Sequence, residues 1–267
     1  MADRYAVIGN PVAHSKSPWI HAEFGRQTRQ DIEYTRIEAP LHDFARAVDA
    51  FRAAGGRGVN VTVPFKGQAF GYCGPRTSAR ARAAMAANTL RFDGESVFGD
   101  NTDGAGLVLD LERNLGKSIA GKRVLLLGAG GAARGVLAPI LERGPAALTI
   151  ANRTAQRAEE LARLFRNVQG GGYGEIAGRS FDLVINATSS GLENQAPPLP
   201  AGVFAPGALG YDMVYGRDTP FLAMARAAGV EACDGTGMLV EQAAESFLVW
   251  RGVRPDTAPV LAALRLR

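Results

Sequence analysis

The length and composition of this chain are those of a globular protein with two domains. It has 267 residues, of which 46% are hydrophobic and 21% are charged, and single hydrophobic cores seldom grow beyond this length. No run of about 18 uncharged apolar residues is present, which excludes a helix that crosses a membrane. The first residues lack the charged and then apolar layout of a signal peptide, so we expect a cytoplasmic protein.

The net charge of +4 comes from arginines that are scattered along the chain, as at Arg76, Arg80 and Arg82. Such a pattern favours a solvated basic surface over a nucleic-acid interface, and a mild positive field suits an anionic small molecule. Cys73 and Cys233 lie far apart and outside any C-x-x-C pattern. We therefore expect two reduced thiols, without a disulfide or a metal site.

The first half of the chain alternates predicted strands and helices, which is typical of a parallel sheet. Ser17 and Pro18 mark the start of the first helix, because a serine can cap the first turn and proline is favoured at the first helical position. Gly55 and Gly56 end the second helix. The predicted elements are a strand at 5–8, a helix from 17, a strand at 32–37, a helix at 41–54 and a strand at 58–63.

The second half continues the alternation from about residue 122. Its first strand is continuously apolar, as expected of a strand buried on both faces. The predicted elements are strands at 123–127, 148–151, 182–187 and 209–213, a helix ending near 143, another ending near 165, and helices at 219–228 and 237–250.

A glycine-rich turn, GAGGAA at 128–133, follows the apolar strand and precedes a helix. The first glycine permits a tight turn, the second lets the backbone approach a pyrophosphate, and the small Ala133 lets helix and strand pack closely. The helix amino terminus supplies free N–H groups and a partial positive charge for phosphates. The turn therefore predicts a bound dinucleotide.

The end of the next strand distinguishes the two nicotinamide cofactors. NAD sites usually place Asp or Glu there to hold the ribose 2′-hydroxyl. This chain has Asn152, Arg153 and Thr154, followed by Arg157 one turn later, and no carboxylate. Because a guanidinium pairs well with a 2′-phosphate, the segment predicts NADP, although the arginines also fit an ordinary solvated surface.

Polar side chains also follow two strands of the first half. Ser15 and Ser17 could hold a carboxylate, although Ser17 could equally be only a helix cap. Asn60 and Thr62 fall on the same face of their strand, with Lys66 just beyond it.

A third polar segment, GDNTDG at 99–104, could face a cleft or be only a turn.

Taken in chain order, these segments resemble the shikimate dehydrogenase family. The matching segments are GNPVAHSKSP at 9–18, NVTVPFK at 60–66, NTL at 88–90, GDNTDG at 99–104, GAGGAARG at 128–135, NRT at 152–154, NATSSG at 186–191, YDMVY at 211–215 and DGTGMLVEQAAESF at 234–247.

The resemblance implies an α/β fold of two domains. Residues 1–103 with 237–267 would form an amino-terminal α/β substrate domain, and residues 104–236 a Rossmann-type NADP-binding domain. The implied activity is the reversible reduction of 3-dehydroshikimate to shikimate with NADPH, in aromatic amino acid biosynthesis. The implied partner is this small molecule alone, without nucleic acid or membrane, and the implied assembly is a monomer or a homodimer.

The resemblance also implies roles for individual residues. Lys66 would be the catalytic lysine, whose ammonium group stabilises charge on the substrate oxygen and donates a proton, so that no metal is needed. Asp103 would be its partner, since a nearby anion favours the charged form of a lysine. The implied substrate-binding residues are Ser15, Ser17, Thr62, Asn88, Asp103, Tyr215 and Gln242, and the implied cofactor-binding residues are Gly128, Ala129, Gly130, Gly131, Ala132, Asn152, Arg153, Thr154, Arg157, Met213 and Gly235.

Two positions depart from the family pattern. Ala79 stands where an acidic residue is common, which puts one peripheral contact on the cofactor side in doubt. Glu241 stands where a small residue is expected.

Three other functions remain open at this point. A quinate/shikimate dehydrogenase that uses NAD is the nearest, and the segment at 152–154 argues against it. A non-catalytic NADP-sensing module would be expected to lack the pair Lys66 and Asp103. A nucleic-acid binder would be expected to show an aromatic stacking run, which this sequence lacks.

Overall fold

The structure is a computed structural model that describes residues 2–188, 190 and 194–266. The chain separates into two compact units, Met1–Gly106 with Val240–Arg267, and Leu107–Leu239. Each unit contains a sheet covered by helices, so the predicted α/β class is confirmed. The assignment of residues 1–103 with 237–267 to the substrate and of 104–236 to the cofactor stays a prediction.

The sheet of the first unit has five strands in the order β2-β1-β3-β4-β5. The first three pair in parallel, but β4 is antiparallel to both β3 and β5. The expectation of a parallel sheet is therefore wrong for this edge, because Gly94, with φ of +62°, permits a tight turn that joins β4 directly to β5. The strands are β1 Asp3–Gly9, β2 Ile32–Glu38, β3 Gly56–Val61, β4 Thr89–Asp93 and β5 Ser96–Asp100.

Helices pack on this sheet through a core that includes Phe44, Phe65 and Leu90. The second helix begins at Phe44 and not at Leu41 as predicted, since Leu41 is 61% exposed and Phe44 is the first apolar side chain to be buried. The helices are α1 Ser17–Thr28, α2 Phe44–Ala53, α3 Lys66–Cys73, α4 Ala79–Ala84, α5 Asp103–Leu109, α9 Thr236–Arg251 and α10 Ala258–Arg265, of which α5 and α9 continue across the boundary between the units.

The sheet of the second unit has six strands in the order β11-β10-β9-β6-β7-β8, and all its strand pairs are parallel. As predicted, the apolar strand after residue 122 is buried from Val124 to Leu127. The strands are β6 Arg123–Leu127, β7 Ala147–Ala151, β8 Val168–Gly171, β9 Phe181–Asn186, β10 Phe204–Asp212 and β11 Glu231–Cys233.

The second unit is completed by α6 Gly131–Leu141, α7 Ala155–Ala162 and α8 Pro220–Ala227. A buried cluster that includes Val124, Ala133 and Ile150 joins its sheet to the helices. Cys73 is buried, Cys233 is half-buried, and neither forms a disulfide. In the part of the chain that the structure describes, no helix is long and apolar enough to span a membrane.

Candidate active site

A largely buried ion pair lies after the carboxyl end of β3. Lys66 is the first residue of α3 and Asp103 is the first residue of α5. Lys66 Nζ donates to Asp103 Oδ2 at 2.6 Å, and their side chains are only 16% and 6% exposed. This charge-assisted hydrogen bond holds the Lys66 amino group in one place, so that it can serve as a proton donor at the site.

Asn88 connects this pair to helix α9. Its amide nitrogen donates to Asp103 Oδ1 at 2.8 Å and to Gln242 Oε1 at 3.3 Å, and its amide oxygen accepts from the backbone of Thr102 at 2.8 Å. Asn88 is 2% exposed. The structure therefore brings together Lys66, Asp103, Asn88 and Gln242, four of the residues that the sequence placed at the site.

Asn60 lies deeper in the same unit than Thr62. The Asn60 amide donates to the Asn88 carbonyl at 3.1 Å and to Ser246 Oγ at 2.9 Å, and its oxygen accepts from Tyr34 at 2.8 Å. These contacts give Asn60 a structural role beneath the site. Thr62 is half-buried just after β3, where its methyl group packs against Gly9.

Ser15 and Ser17 form a second polar group in this unit. Both are nearly buried, at 5% and 6% exposed, and Ser15 Oγ donates to Ser17 Oγ at 3.2 Å. Arg36 Nε and Nη2 donate to the Ser15 carbonyl at 3.0 and 2.5 Å, which fixes the backbone of the loop before α1. The two hydroxyls are close enough to bind one carboxylate.

The predicted helix cap at Ser17 is wrong. Ser17 is itself the first residue of α1, and the preceding Lys16 is the capping residue, without a side-chain bond to the helix. Pro18 is therefore the second helical residue and not the first. The Ser17 amide donates to Ser15 Oγ at 3.3 Å.

The glycine turn lies between β6 and α6 in the second unit. Gly128 has φ of +102°, and an added Cβ would lie 3.2 Å from the Ala187 carbonyl oxygen, so only glycine fits there. A Cβ added at Gly130 or Gly131 would meet nothing within 4 Å. Ala129 is buried, whereas Ala132 is half-buried in the first turn of α6. This open backbone at a helix amino terminus fits a pyrophosphate.

The end of β7 presents two guanidinium groups. Arg153 and Arg157 are exposed, and Asn152 Nδ2 donates to the Thr154 carbonyl at 2.9 Å, which closes the turn before α7. Thr154 precedes the helix without a side-chain capping bond. No carboxylate occurs between 152 and 157, so the edge of the turn is positively charged.

Met213 and Gly235 lie close together in the same unit. A Cβ at Gly235 would lie 2.5 Å from the Met213 carbonyl oxygen, which requires glycine at that position. The Met213 amide donates to the Asn186 carbonyl at 2.9 Å. Tyr215 is half-buried two residues beyond Met213 and belongs to this unit, and its substrate role stays a prediction.

The segment NATSSG at 186–191 is described only in part, because residues 189 and 191 lie outside the described residues. Thr188 Oγ1 donates to Asn186 Oδ1 at 2.7 Å and lies 2.6 Å from Ser190 Oγ.

Asp212 is a buried residue that the sequence analysis did not single out. Its carboxylate accepts from Thr219 Oγ1 at 2.6 Å, from the Val214 amide at 3.0 Å and from Asn186 at 3.1 Å. Burial raises the pKa of Asp212, and the hydrogen bond from Thr219 opposes this shift. Asp212 therefore fixes the backbone next to Met213. The sequence feature that could have revealed its role is an acidic residue at the end of a largely apolar strand.

Ala79 and Glu241, the two positions that depart from the expected family pattern, have different surroundings in the structure. Ala79 begins α4, which Ser78 caps by accepting from the Ala81 amide at 3.1 Å. Glu241 is fully buried and accepts from Arg254 at 2.9 Å and from Thr257 at 2.7 Å. The carboxylate of Glu241 is thus compensated within its own unit.

In the described part of the chain, no group of three or more His, Cys, Asp or Glu side chains is placed so that it could hold a metal ion. The chemistry of the site is that of a lysine, a carboxylate and neutral amides.

Three family models match the chain. They are the shikimate dehydrogenase substrate binding domain at residues 7–90, shikimate / quinate 5-dehydrogenase at 110–193, and the shikimate 5′-dehydrogenase C-terminal domain at 235–265.

Full-length relatives agree with these matches. The shikimate dehydrogenase (NADP(+)) of Dechloromonas aromatica is 59% identical over 100% of this chain and 99% of its own length. An Ael1 enzyme from Pseudomonas putida has a TM-score of 0.92 at 49% identity, with 98% of each chain covered. The shikimate 5-dehydrogenase of Thermus thermophilus, solved with NADP(H) and shikimate, has a TM-score of 0.88 at 35% identity, with 99% of each chain covered. This chain belongs to the shikimate dehydrogenase family.

Proposed function

We propose that this chain catalyses the reversible, NADP-dependent reduction of 3-dehydroshikimate to shikimate. The observation that carries the proposal is the largely buried contact of 2.6 Å between Lys66 and Asp103, with Asn88 and Gln242 beside it. The relatives that are 55–59% identical over nearly the whole chain are named for this reaction and this cofactor.

Lys66 is the proton donor in this proposal. When bound, NADPH supplies the hydride that adds to the substrate carbonyl carbon. Negative charge then develops on the carbonyl oxygen, and the ammonium group of Lys66 stabilises that charge and donates a proton to the oxygen. In the oxidative direction, the neutral amine of Lys66 accepts the proton of the hydroxyl group.

Asp103 and Asn88 orient the donor. Asp103 uses one oxygen for Lys66 and the other for Asn88, so the carboxylate is fixed at both ends. A fixed carboxylate restricts the ammonium group to one direction, which reduces the entropy lost in reaching the reactive geometry. Thr62, Tyr215 and Gln242 are proposed to complete the substrate pocket, and Ser15 and Ser17 to bind the carboxylate.

The second unit is proposed to bind the cofactor. The open backbone at Gly130 and Gly131 suits the pyrophosphate, and the exposed guanidinium groups of Arg153 and Arg157 suit the 2′-phosphate. Met213 and Gly235 would line the remainder of the dinucleotide site.

The proposed setting of the enzyme is the cytoplasm. We propose that it acts there as a monomer or a homodimer. Because its arginines are scattered along the chain, we propose that it has no nucleic-acid partner.

Substitution of Lys66 tests the proposal. Lys66→Met should lower kcat by about 10²- to 10⁴-fold, because the proton donor is lost, with a smaller change in KM. Initial rates of NADPH consumption measure both parameters. Lys117→Met is the matched control, since Lys117 forms an exposed ion pair with Glu231, and it should retain full activity. An unchanged kcat in Lys66→Met would refute the role of Lys66.

A further inference from the structure

A chain of ion pairs runs through the first unit beside the site. Asp100, at the end of β5, is 4% exposed. Its carboxylate accepts from Arg80 Nε at 2.8 Å and Nη2 at 2.7 Å, from the Asn101 amide at 2.7 Å, and from Ser78 Oγ. Two parallel bonds from one guanidinium fix both distance and direction, so Arg80 and Asp100 form a rigid unit.

The turn after Asp100 carries Asp103. Asn101 accepts from the Asp103 amide at 3.1 Å and donates to the Ala86 carbonyl at 3.0 Å. The backbone of Asp103 is therefore tied to Asn101, whose own backbone is tied to Asp100. Asp100 and Asp103 are therefore joined through the hydrogen bonds of one short turn.

Arg80 also reaches helix α9. Its Nη1 donates to Glu245 Oε2 at 3.3 Å, and Glu245 is held in turn by Arg254. Glu245 lies three residues after Gln242, so the two side chains are neighbours on the helix surface. Arg80 thus contacts both segments that deliver polar groups to Asn88.

We propose that Arg80 is a positioning residue that fixes the spacing between Asp103 and Gln242. Among the described residues, its hydrogen bonds go to Asp100 and Glu245 and not to Lys66 or Asn88, so it acts through Asp100 on one side and Glu245 on the other. The inference deepens the proposed function and rests on it, because the geometry at issue is that of the proposed proton donor.

Loss of Arg80 has a defined local consequence. Asp100 would keep the donors Ser78 and Asn101 but lose the guanidinium, its only charged donor among the described residues. A buried carboxylate that loses its cation is costly, so the turn is expected to move toward solvent. Glu245 would keep its ion pair with Arg254, but the link from α9 to Asp100 through Arg80 would be lost.

The test compares Arg80→Met and Arg80→Lys with the unchanged enzyme. Arg80→Met should lower kcat by about tenfold to a hundredfold and raise the KM for shikimate, because a shift of about 1 Å has effects of this size. The KM for NADP should stay within about twofold, since Arg80 is not one of the residues proposed to bind the cofactor. Arg80→Lys should recover part of kcat, because a lysine keeps the charge but not the paired geometry.

Two controls separate positioning from stability. Arg26→Met removes a surface pair with Glu23 in the same unit and should leave kcat unchanged. The double variant Arg80→Met/Asp100→Asn removes the unpaired charge as well, so it should regain melting temperature without regaining kcat. Recovery of kcat in the double variant would overturn the inference, because the effect would then come from charge alone.

The remaining outcomes are also decisive. If the unchanged enzyme oxidises shikimate but Arg80→Met has normal kcat and KM at a temperature where it is folded, the inference fails and the proposed function stands. If the unchanged enzyme does not act on shikimate, the proposed function fails first. Should Arg80→Met not fold, a normal kcat in Arg80→Lys with a lower melting temperature would refute positioning.

Discussion

At the scale of single residues, the site depends on how buried polar groups are satisfied. Lys66, Asp103 and Asn88 each have partners, and the family resemblance predicted the role of each of the three. The role of Ser17 as a helix cap was predicted from local pattern alone and is wrong. A serine before proline fits both a cap and a first helical residue, so local pattern could not decide between them.

His21 is an exception to this rule of satisfied groups. It is fully buried on α1, stacks on Tyr34 at 4.3 Å, and neither ring nitrogen has a hydrogen-bond partner among the described residues. Burial lowers the pKa of His21 from 6.5 to about 3, and the nearby Asn60 side chain opposes the shift. The histidine is therefore neutral in the folded chain near neutral pH.

This burial predicts a loss of stability in acid. Below pH 6.5 the unfolded chain binds a proton at His21 that the folded chain does not bind until about pH 3. The free energy of unfolding should thus fall as pH decreases through this window. Between pH 6.5 and pH 5 the contribution of His21 is about 1.5 kcal/mol.

Urea unfolding of His21→Phe across this pH range measures the contribution. The variant keeps an aromatic ring against Tyr34 but cannot bind a proton, so its stability should fall less steeply in acid. His42→Gln, at an exposed position, is the control and should follow the unchanged protein. Equal slopes for His21→Phe and the unchanged protein would contradict the prediction.

At the scale of elements, α9 and the segment after it are joined by a buried carboxylate. Glu241 is fully buried on α9, and Arg254 and Thr257 donate to it from the following segment. Arg254 also pairs with Glu245 one turn further along the same helix. The charge at position 241, where a small residue was expected, is therefore matched by a cation close in sequence.

Removal of this cation should destabilise the protein strongly. Arg254→Met leaves Glu241 buried without a counter-charge, so the free energy of unfolding should fall by about 3–5 kcal/mol. The double variant Glu241→Ala/Arg254→Met should recover most of that loss. Urea unfolding at pH 7 measures both, with Arg265→Met at an exposed position of α10 as the control. A loss below about 0.5 kcal/mol, the usual range of surface substitutions, would show that water already solvates Glu241.

Some elements could be predicted from the sequence and others could not. The strand at 123–127 was predicted with its exact bounds, because a buried parallel strand is an uninterrupted apolar run. Helix α3 was missed, since Gly67 and Gly71 lower its helix propensity and obscure any apolar face. Strands β8 and β11 have only four and three residues, which is too short for a periodic pattern.

At the scale of the whole molecule, the polar network of the first unit depends on contacts between distant positions. Asn88 and Gln242 are 154 positions apart, and Asn60 and Ser246 are 186 apart. Local patterns carry no information on such pairs. Asn88 and Gln242 were assigned to one site through the resemblance, whereas Arg80, Asp100 and Glu245 were recognised only when the fold brought their side chains together.

The central claim is that this chain oxidises shikimate with NADP. The most direct test measures kcat/KM for shikimate and for quinate, each with NADP and with NAD. We expect the highest value for shikimate with NADP, and a preference for NADP over NAD of about tenfold to a hundredfold, as charged hydrogen bonds to a 2′-phosphate would give. Equal use of the two cofactors, or a higher value for quinate than for shikimate, would contradict the account.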